Sequence, residues 1–590
     1  MNFEHDLTHL ISNLQYSDKK TPFQKQLNSD VQTIKKSDKV YVSADKTSNT
    51  YLLKKDDYNK LMRDNVTAHY EKTDVRTEHK INSDASIITS ALEIDDRVEP
   101  IAHKSAYITI KDHKEHFPND VKCRLLNPAK SNIGKIAQQK LQSINQKVRE
   151  ELKLQQWCST TDCLNWFKSL KNKTRMKFIQ FDIVDFYPSI TEKLFNDALN
   201  FAALIVPIRN QTKNIILNAR QSLLFHDQSV WKKTTGLFDV TMGSYDGCEV
   251  CELVGLYILH KLNDKFPELN TGLYRDDGLS ALKRTPKTKL EHLKKDIIKM
   301  FKEEFGLKIT LESDLITVNF LDITLDLHGE KFYPYRKPND FPVYIHKQSN
   351  HPPHVAKQLP VGIEKRLSEI SSDEQTFNSF KKDYEQALQK SGHKPKLEYN
   401  PPTPGSRTRN KNRKRNIIWF TPPYSSALKT YLGKEFLNLV DKNFPINNPL
   451  HQIINRKTIK LSYSCTPNMR TIIANHNRKI LTADKTTESS RCSCRNKTTC
   501  PVPGECCQPN VVYHATVKHD DGKTAEYIGS TEPEFKLRFN NHNKSFRHNE
   551  YKTETTLSKY IWDHALNPAP TMNWKFLKKC STYDVGKKNM

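Results

Sequence analysis

The chain has 590 residues, and Lys and Arg outnumber Asp and Glu by 93 to 67, which gives a formal net charge of +26. This charge favours a polyanionic partner, usually nucleic acid, with an anionic membrane surface as the alternative. No stretch approaches the roughly 20 apolar residues of a membrane span and no secretory signal begins the chain, so we expect no membrane partner.

Length and hydrophobic patterning predict a multidomain α+β protein. The predicted segments are a polar extension at 1–100, an α+β core at 101–335, a helical region at 336–395, a basic Pro- and Arg-rich linker at 396–416, a connector at 417–490, a cysteine-rich segment at 491–510 and a small α/β domain at 511–590. The linker is usually a solvated run, but it could follow a phosphate backbone or direct nuclear import. We therefore expect a nuclear location, with some of the protein in the cytoplasm.

Before residue 133, two short segments predict a pair of strands with basic side chains. Residues 106–114 alternate in polarity and residues 123–126 are apolar apart from one arginine. The pair would carry Lys111, Lys114 and Arg124. A solvated charged hairpin is the alternative. The other predicted elements are a strand at 39–47, helices at 58–70, within 133–170, at 210–225 and at 248–260, an amphipathic helix at 285–306, and strands at 318–327 and 331–335.

Residues 177–190 predict a strongly apolar strand that contains Asp182 and Asp185. A charged side chain inside a buried strand costs several kcal/mol unless it is paired or binds a metal. Hard divalent cations take oxygen ligands. We therefore expect Asp182 to coordinate such a cation.

A second acidic feature lies at Asp276 and Asp277, where apolar residues and a glycine on each side predict two strands that meet at a tight hairpin. Such a pair alone is most often a solvated turn, but the tip could direct both carboxylates at one ion. Asp182 supplies a third carboxylate. Two acidic strands that flank helices are typical of a two-metal polymerase, in which the ions activate a primer 3′-hydroxyl and stabilise the leaving pyrophosphate.

These motifs resemble those of reverse transcriptases. Residues 181–187 are similar to motif A, Gly243 and the helix after it to motif B, residues 274–277 to motif C and residues 305–308 to motif D. Other short sequences resemble those of Penelope-like retroelements, which are relatives of telomerase. Examples are residues 186–190, 246–249, 44–47 and 349–353. The resemblance covers most of the chain and implies a right-hand polymerase with fingers and palm at 101–335 and a thumb at 336–395.

The resemblance also implies roles for individual residues. The ligands of Mg²⁺ (or Mn²⁺) would be Asp182, Asp276 and Asp277. Among the substrate-binding residues, Tyr187 would block a ribose 2′-hydroxyl, and Arg124, together with Lys111 or Lys114, would face the triphosphate. Gly243 would let the backbone approach the nascent base pair, and Lys308 would protonate the leaving pyrophosphate. A core aromatic and a surface lysine are the alternatives for Tyr187 and Lys308. The implied partners are an RNA template, a DNA primer, target DNA and dNTPs.

Cysteines crowd one short segment near the C-terminus. They are Cys492, Cys494, Cys500, Cys506 and Cys507. Four thiolates complete a tetrahedral zinc site, so we expect a structural Zn²⁺, with reduced thiols in a loop as the alternative because the spacing departs from paired CxxC. The remaining cysteines do not form a disulfide framework, which suits a reducing compartment.

Residues 511–531 predict a strand, a turn and a second strand that resemble the GIY-YIG nuclease. The resemblance implies that Tyr513 or Tyr527 helps to activate water, that Arg538 stabilises the phosphate and that His542, four residues later on the same helical face, assists proton transfer. Penelope-like elements carry this nuclease after the polymerase.

Two departures from that family concern cleavage. Thr556 stands where the metal-binding glutamate is expected, the nearest acid is Glu554, and the chain stops at Met590, so the domain is expected to be truncated. We expect impaired or absent cleavage.

The sequence as a whole predicts an RNA-directed DNA polymerase of a mobile element, primed at a nicked DNA end. The alternatives are a decayed or domesticated copy that binds nucleic acid without catalysis, and a chain whose main activity is the nuclease.

Overall fold

The computed structural model describes residues 3–17, 20–91, 104–129, 133–227, 229–338, 340–401, 417–464, 468–482, 492, 494, 500–519, 522–564 and 572–579. The chain divides into two compact units, Met1–Ile480 and Leu481–Met590. The basic run of the predicted linker, from 402 to 416, lies outside the described residues. No described helix combines the length and the apolar character that crossing a membrane requires.

Helices alternate with short sheets through the first unit, and all of its sheets are antiparallel except the parallel pair of Ile418–Phe420 and Ile459–Leu461. Its helices are α1 (Phe3–Ser12), α2 (Pro22–Lys36), α3 (Lys55–Thr67), α4 (Val75–Ser90), α5 (Ile133–Leu152), α6 (Thr160–Ser169), α7 (Phe186–Ser189), α8 (Glu192–Ile205), α9 (Asn210–Asn218), α10 (Gly247–Lys265), α11 (Lys287–Glu304), α12 (Pro353–Glu369), α13 (Glu374–Lys390), α14 (Leu432–Asn443) and α15 (Met469–Thr482). Its strands are β1 (Val40–Ser43), β2 (Thr50–Leu53), β3 (Tyr70–Thr73), β4 (Tyr107–Ile110), β5 (Cys123–Leu126), β6 (Met176–Ile183), β7 (Leu224–His226), β8 (Ser229–Lys233), β9 (Asn270–Tyr274), β10 (Asp277–Lys283), β11 (Ile309–Leu315), β12 (Thr317–Phe320), β13 (Ile323–Asp326), β14 (Lys331–Pro334), β15 (Ile418–Phe420) and β16 (Ile459–Leu461).

A four-stranded antiparallel sheet with the order β11-β6-β10-β9 organises this unit. Along β6, Ile179, Phe181 and Ile183 pack into one apolar core with α5, α8, α10 and α11. Phe178 faces the other way and packs in a second core with α6 and β12–β14. Because side chains alternate along a strand, Asp182 lies on the same face as Phe178.

This alternation of side chains along β6 decides whether Asp182 is buried. The prediction of a carboxylate inside a buried strand is wrong, because the Asp182 side chain is exposed. The second core covers its face of the sheet at Phe178, and Gln180 between them is half-buried. Asp182 therefore lies at the open end of that face, so burial inside the strand is not a reason for it to bind a metal.

Several predicted elements are present with altered bounds. The basic strand pair is confirmed, with Tyr107 opposite Leu126. The helix predicted at 58–70 ends at Thr67, and Tyr70 begins a strand that pairs with β8. The strand predicted at 318–327 is wrong in part, because the chain turns at Leu321, whose φ is 55°, and forms β12 and β13. No glycine or proline signals that turn.

The N-terminal helix lies against the predicted connector rather than apart from it. The Phe3 ring lies 6.2 Å from Phe436 and 5.3 Å from Phe444, measured between ring centroids. Asp6 accepts hydrogen bonds from Lys442 and Asn443, both at 3.0 Å. Segments more than 400 residues apart thus share one small core.

The second unit is a small α/β arrangement, as its sequence predicts. It contains β17 (Val511–Lys518), β18 (Thr524–Thr531), β19 (Met572–Lys579), α16 (Phe535–Arg547) and α17 (Thr556–Asp563). The sheet order is β18-β17-β19, with antiparallel pairing throughout. Residues from both helices and from β17 and β19 form its core.

Candidate active-site cleft

The acidic hairpin and the strand of Asp182 meet in register. Tyr274 pairs with Asp277, which leaves Arg275 and Asp276 as a two-residue turn, and Arg275 has a φ of 55°. On the other side of β10, Asp277 lies directly opposite Asp182. The Ile183 amide donates to the Asp276 carbonyl at 3.0 Å. Partners across such a ladder have Cα atoms roughly 5 Å apart, so the strand pairing brings the predicted ligands together.

Close packing explains the glycines beside the hairpin. A Cβ on Gly278 would lie 2.1 Å from the Phe181 ring, and one on Gly272 would lie 1.9 Å from the Trp157 ring. Neither glycine has the positive φ of a turn residue. These glycines therefore hold β9 and β10 against aromatic side chains, and Arg275 alone supplies the left-handed backbone.

Burial and neighbouring carboxylates raise the pKa of Asp277 and of Asp182. Loss of hydration and the charges of Asp276 and Asp182 raise the pKa of Asp277 to about 6. Desolvation from the surrounding cleft, together with Asp276, also raises the pKa of Asp182, although its side chain is exposed. A divalent cation would relieve this repulsion, and an all-oxygen donor set fits Mg²⁺ or Mn²⁺.

A cavity of about 560 Å³ adjoins the hairpin. The predicted residues that line it are Arg124, Tyr187, Gly243, Asp276 and Asp277. The basic residues that line it without having been predicted as site residues are Lys46, Arg275 and Lys337. Basic and acidic groups therefore share one space, which suits a polyphosphate held beside metal ions.

Among the predicted basic residues, Lys111 and Lys308 do not line this cavity. Lys308 is exposed just before β11, and its carbonyl accepts a hydrogen bond from the Val184 amide at 2.9 Å. Lys111 is half-buried, and burial is the main cause that lowers its pKa. Arg124 lines the cavity but is already paired, with its Nε 3.2 Å from Asp45.

Gly243 is required by a protein contact. Its φ is 122°, and a Cβ there would lie 2.4 Å from the Asn127 carbonyl oxygen. The Asn127 amide donates to the Met242 carbonyl at 3.1 Å, and its side chain donates to the Leu223 carbonyl at 2.9 Å. The glycine thus ties the loop before α10 to the end of β5, whatever it does for a substrate.

Tyr187 is half-buried at the cavity wall, between a core position and a free surface position. Its hydroxyl lies 3.3 Å from the Cys248 sulfur at the start of α10. Burial is the main cause that raises its pKa, so the phenol stays protonated. This ring could limit the width of the cavity.

Lys46 and Lys337 come from parts of the chain far from the acidic motifs. Lys46 lies in the turn between β1 and β2, and Lys337 follows β14. Burial, and then the neighbouring Lys46 ammonium, lower the pKa of Lys337 to about 8. The only sequence signal for Lys46 is that residues 44–47 resemble the retroelement family.

Four of the five clustered cysteines form a candidate metal site in the second unit. The sulfurs of Cys492, Cys494, Cys500 and Cys506 all lie within 4.8 Å of one another, and three of the pairs are 3.6 Å apart. Zinc–sulfur bonds of about 2.3 Å give a tetrahedral edge of about 3.8 Å. The group therefore fits Zn²⁺, and Cys507 lies outside it.

Thiolate formation is favoured at Cys492. The backbone N–H of Cys494 is the main cause that lowers the pKa of the Cys492 thiol, to about 7. Metal binding needs the thiolate form.

The predicted nuclease residues converge on one buried hydroxyl. The Tyr513 oxygen lies 2.8 Å from Nε2 of His542, and Nε of Arg538 donates to it at 3.3 Å. The Tyr527 ring centroid lies 6.3 Å from that of Tyr513. The four residues are therefore neighbours, as their order in the sequence implies.

Burial separates two of these residues from solvent. Tyr513 is 0 % exposed and His542 is 1 % exposed, whereas Tyr527 and Arg538 are half-buried. Burial, and then Arg538, lower the pKa of His542 to about 4, and burial raises the pKa of Tyr513 to about 12. Both groups are therefore neutral near pH 7.

The expected carboxylate is missing from the helix that should carry it. Thr556 is the exposed first residue of α17, and the first turn of this helix contains no acidic residue. Glu554 is exposed two residues earlier, and Asp563 at the far end pairs with Lys552 at 2.8 Å.

No protein-family model and no curated protein matches the chain. Among solved structures it is similar to telomerase from Candida albicans bound to a fragment of telomeric RNA, at 10% identity and a TM-score of 0.39, over 60% of this chain and 64% of that chain. It is also similar to apo telomerase from Candida tropicalis (11%, 0.38, 60% and 66%) and to the RNA-dependent RNA polymerase of a human picobirnavirus (11%, 0.36, 62% and 82%).

The chain thus spans slightly less than two thirds of these telomerase chains. Identities of 10% and 11% and TM-scores below 0.5 mark distant likenesses. The functional proposal rests instead on the geometry of the cleft.

Proposed function

We propose that the first unit is a template-directed polymerase, an RNA-directed DNA polymerase that extends a DNA primer with dNTPs. The observation that carries the proposal is the register of the sheet. It puts Asp277 opposite Asp182 and Asp276 in the adjoining turn, beside a cavity that basic side chains line. Nucleotidyl transfer needs such carboxylates within reach of a polyphosphate.

The carboxylates of Asp182, Asp276 and Asp277 would hold Mg²⁺ or Mn²⁺. When bound, these ions supply a more acidic primer hydroxyl and charge stabilisation for the pyrophosphate. Tyr187, at the cavity wall, would restrict the space beside the sugar. Arg124 would orient a phosphate in the cavity, and its ion pair with Asp45 fixes the direction of the guanidinium group.

The wider biological role is part of the same proposal. The net charge of +26 supports binding of an RNA template, a primer and target DNA, with an affinity that falls steeply with salt. The resemblance of the motifs to Penelope-like retroelements supports priming at a nicked DNA end. The basic run between 407 and 415 supports a nuclear location, with some of the protein in the cytoplasm.

Primer extension on poly(rA)/oligo(dT) with Mg²⁺ or Mn²⁺ tests the activity. We expect incorporation of dTTP by the full chain and a loss of about 10³-fold in Asp276→Asn, because roughly 4 kcal/mol of transition-state stabilisation depends on the metals. Asp264→Asn is the matched control, since Asp264 is exposed at the end of α10. Equal activity in Asp276→Asn and the control would overturn the proposal.

The second candidate function is nucleic-acid binding without synthesis, which the net charge favours. No incorporation with any divalent ion, combined with tight salt-dependent RNA or DNA binding, would make it the better account. For the second unit we propose a GIY-YIG-like domain that contacts DNA through Arg538 and cleaves it poorly. The absence of an acidic residue from the first turn of α17 supports this part.

A further inference from the structure

The turn between β1 and β2 is anchored by one buried carboxylate. Asp112, just after β4, is 1 % exposed. Its Oδ2 accepts hydrogen bonds from Thr47 at 2.6 Å, Asn49 at 2.9 Å and Tyr51 at 2.9 Å. A buried carboxylate with three donors fixes the groups that donate to it. The turn is therefore rigidly attached to the β4–β5 pair.

Two more contacts set the direction of this turn. The Asp45 amide donates to the Ile110 carbonyl at 2.8 Å, and the Asp45 carboxylate pairs with Arg124 at 3.2 Å. Lys46 follows Asp45 directly and lines the cavity beside the acidic hairpin. Its neighbours on the turn already have partners, so the fold presents the Lys46 ammonium to the cavity.

A second lysine reaches the same place from another part of the unit. Lys337, just after β14, lines the same cavity, and the Lys46 ammonium lies near enough to lower the pKa of Lys337. Two neighbouring ammonium groups repel each other unless an anion lies between them. Asp277 attracts Lys337 but is a proposed metal ligand. Because the carboxylates that attract Lys46 and Lys337, namely Asp182 and Asp277, are proposed metal ligands, this pair of cations points to an external anion.

On the basis of the proposed polymerase function, we propose that Lys46 and Lys337 form a phosphate subsite in the cleft, separate from Arg124 and next to the metal-binding carboxylates. Lysine binds phosphate as a strongly hydrated point charge, and one phosphate group has enough oxygens for both ammonium groups. The phosphate could belong to the nucleotide triphosphate and its pyrophosphate product, or to the primer backbone.

Three variants of the full chain test the subsite: Lys46→Gln, Lys337→Gln and the double variant. Lys299→Gln is the matched control, because Lys299 is exposed on α11 and does not line the cavity. The measurements are the KM for dTTP, the inhibition constant of inorganic pyrophosphate, the primer Kd from fluorescence anisotropy, and kcat.

If the phosphate is that of the nucleotide, each lysine variant raises the KM and the pyrophosphate inhibition constant about tenfold and leaves the primer Kd unchanged. If it is a primer phosphate, the primer Kd rises about tenfold instead and its salt dependence weakens by about one charge. Lys46→Arg keeps the charge and should retain most of the affinity.

Asp112→Asn tests the positioning of the turn. It removes the charge that holds Thr47, Asn49 and Tyr51, so it should change the same constant as Lys46→Gln while the Lys337→Gln effect on that background becomes smaller. A merely structural defect would instead lower kcat and the fraction of folded protein.

All constants within twofold of the Lys299→Gln control would overturn the subsite. That outcome is distinct from failure of the proposed polymerase. If the wild-type chain incorporates no nucleotide, the primer Kd and its salt dependence still report on the two lysines. If it does incorporate nucleotide, unchanged constants reject the subsite alone.

Discussion

The two candidate sites place their ionisable groups in opposite surroundings. At the cleft of the first unit, Asp182 is exposed, and Asp276 and Asp277 are half-buried at the wall of a cavity, so these carboxylates lie beside a space that a cation can enter. In the second unit, Tyr513 and His542 lie in the core. Residue types that match a motif are therefore not sufficient. Their charges must also face a space that a substrate can enter.

The two units also differ in the metal chemistry that their residues fit. The cleft offers carboxylates, which suit an exchangeable hard cation, whereas the second unit offers four thiols within 4.8 Å of one another, which suit a retained Zn²⁺. At the nuclease-like site, the first turn of α17 supplies no acidic residue. The predictions below test each side of this contrast.

The largest effect is expected at the thiol site. Structural zinc sites contribute apparent binding energies of about 10–16 kcal/mol, so Cys506→Ser should abolish a stoichiometry of one Zn²⁺ per chain and destabilise the second unit. Metal analysis of the purified full chain measures it. Cys507→Ser is the control and should keep its zinc. A concentration of EDTA that stops primer extension should leave the zinc bound to the thiols. If EDTA removes the zinc and the metal of the cleft equally, the two sites do not differ in how they retain metal.

The next effect concerns cleavage. Wild-type protein should not nick supercoiled plasmid with Mg²⁺ or Mn²⁺, and Thr556→Glu should raise nicking about 10²-fold, because a metal-bound carboxylate contributes roughly 3 kcal/mol to the transition state. Adding Arg538→Ala should remove the gain. Efficient nicking by the wild-type chain, lost in Arg538→Ala alone, would show that the second unit needs no acid at Thr556.

The two units should respond to pH with opposite signs. The pKa of His542 is about 4 when folded and 6.5 ordinarily. The unfolded chain therefore binds the proton first as pH falls, and about 3 kcal/mol of stability present above pH 6.5 is lost towards pH 4. Amide exchange of β17 in the full chain, corrected for intrinsic rates, measures this loss. His542→Gln should flatten the dependence.

Asp277 provides the internal comparison. Its pKa is about 6 when folded and 3.8 ordinarily, so the folded metal-free chain binds this proton first. Its contribution to stability is present below pH 4 and is lost as pH rises through 6. Amide exchange of β10 in EDTA should therefore accelerate as pH rises, and Asp277→Asn should remove the trend. Equal signs in β10 and β17 would contradict the two surroundings inferred here.

The smallest effect is expected at Tyr187. Tyr187→Ala should reduce the preference for dNTP over rNTP about tenfold, since a contact that excludes one hydroxyl is worth roughly 1–3 kcal/mol. The ratio of the kcat/KM values measures it. Tyr187→Phe keeps the ring and loses the Cys248 contact, so it should behave as wild type. An unchanged ratio in Tyr187→Ala would make the ring a packing residue only.

Local patterns in the sequence determined much of the first unit. Alternating apolar residues predicted β4 and β5, the glycine-flanked acidic pair predicted the β9–β10 hairpin, and apolar spacing predicted α11. These elements follow from near neighbours, because turn propensity and periodicity act within about ten residues. The strand and helix around Tyr513 and Arg538 follow in the same way.

Tertiary structure alone decided which of these residues share a space. It exposed Asp182, paired the fully buried Arg220 with Asp246 at the start of α10, and brought Lys46 to Lys337. It also buried His542 under the sheet of the second unit. No local signal encodes such meetings, since they depend on how distant elements pack and on which face of each remains open.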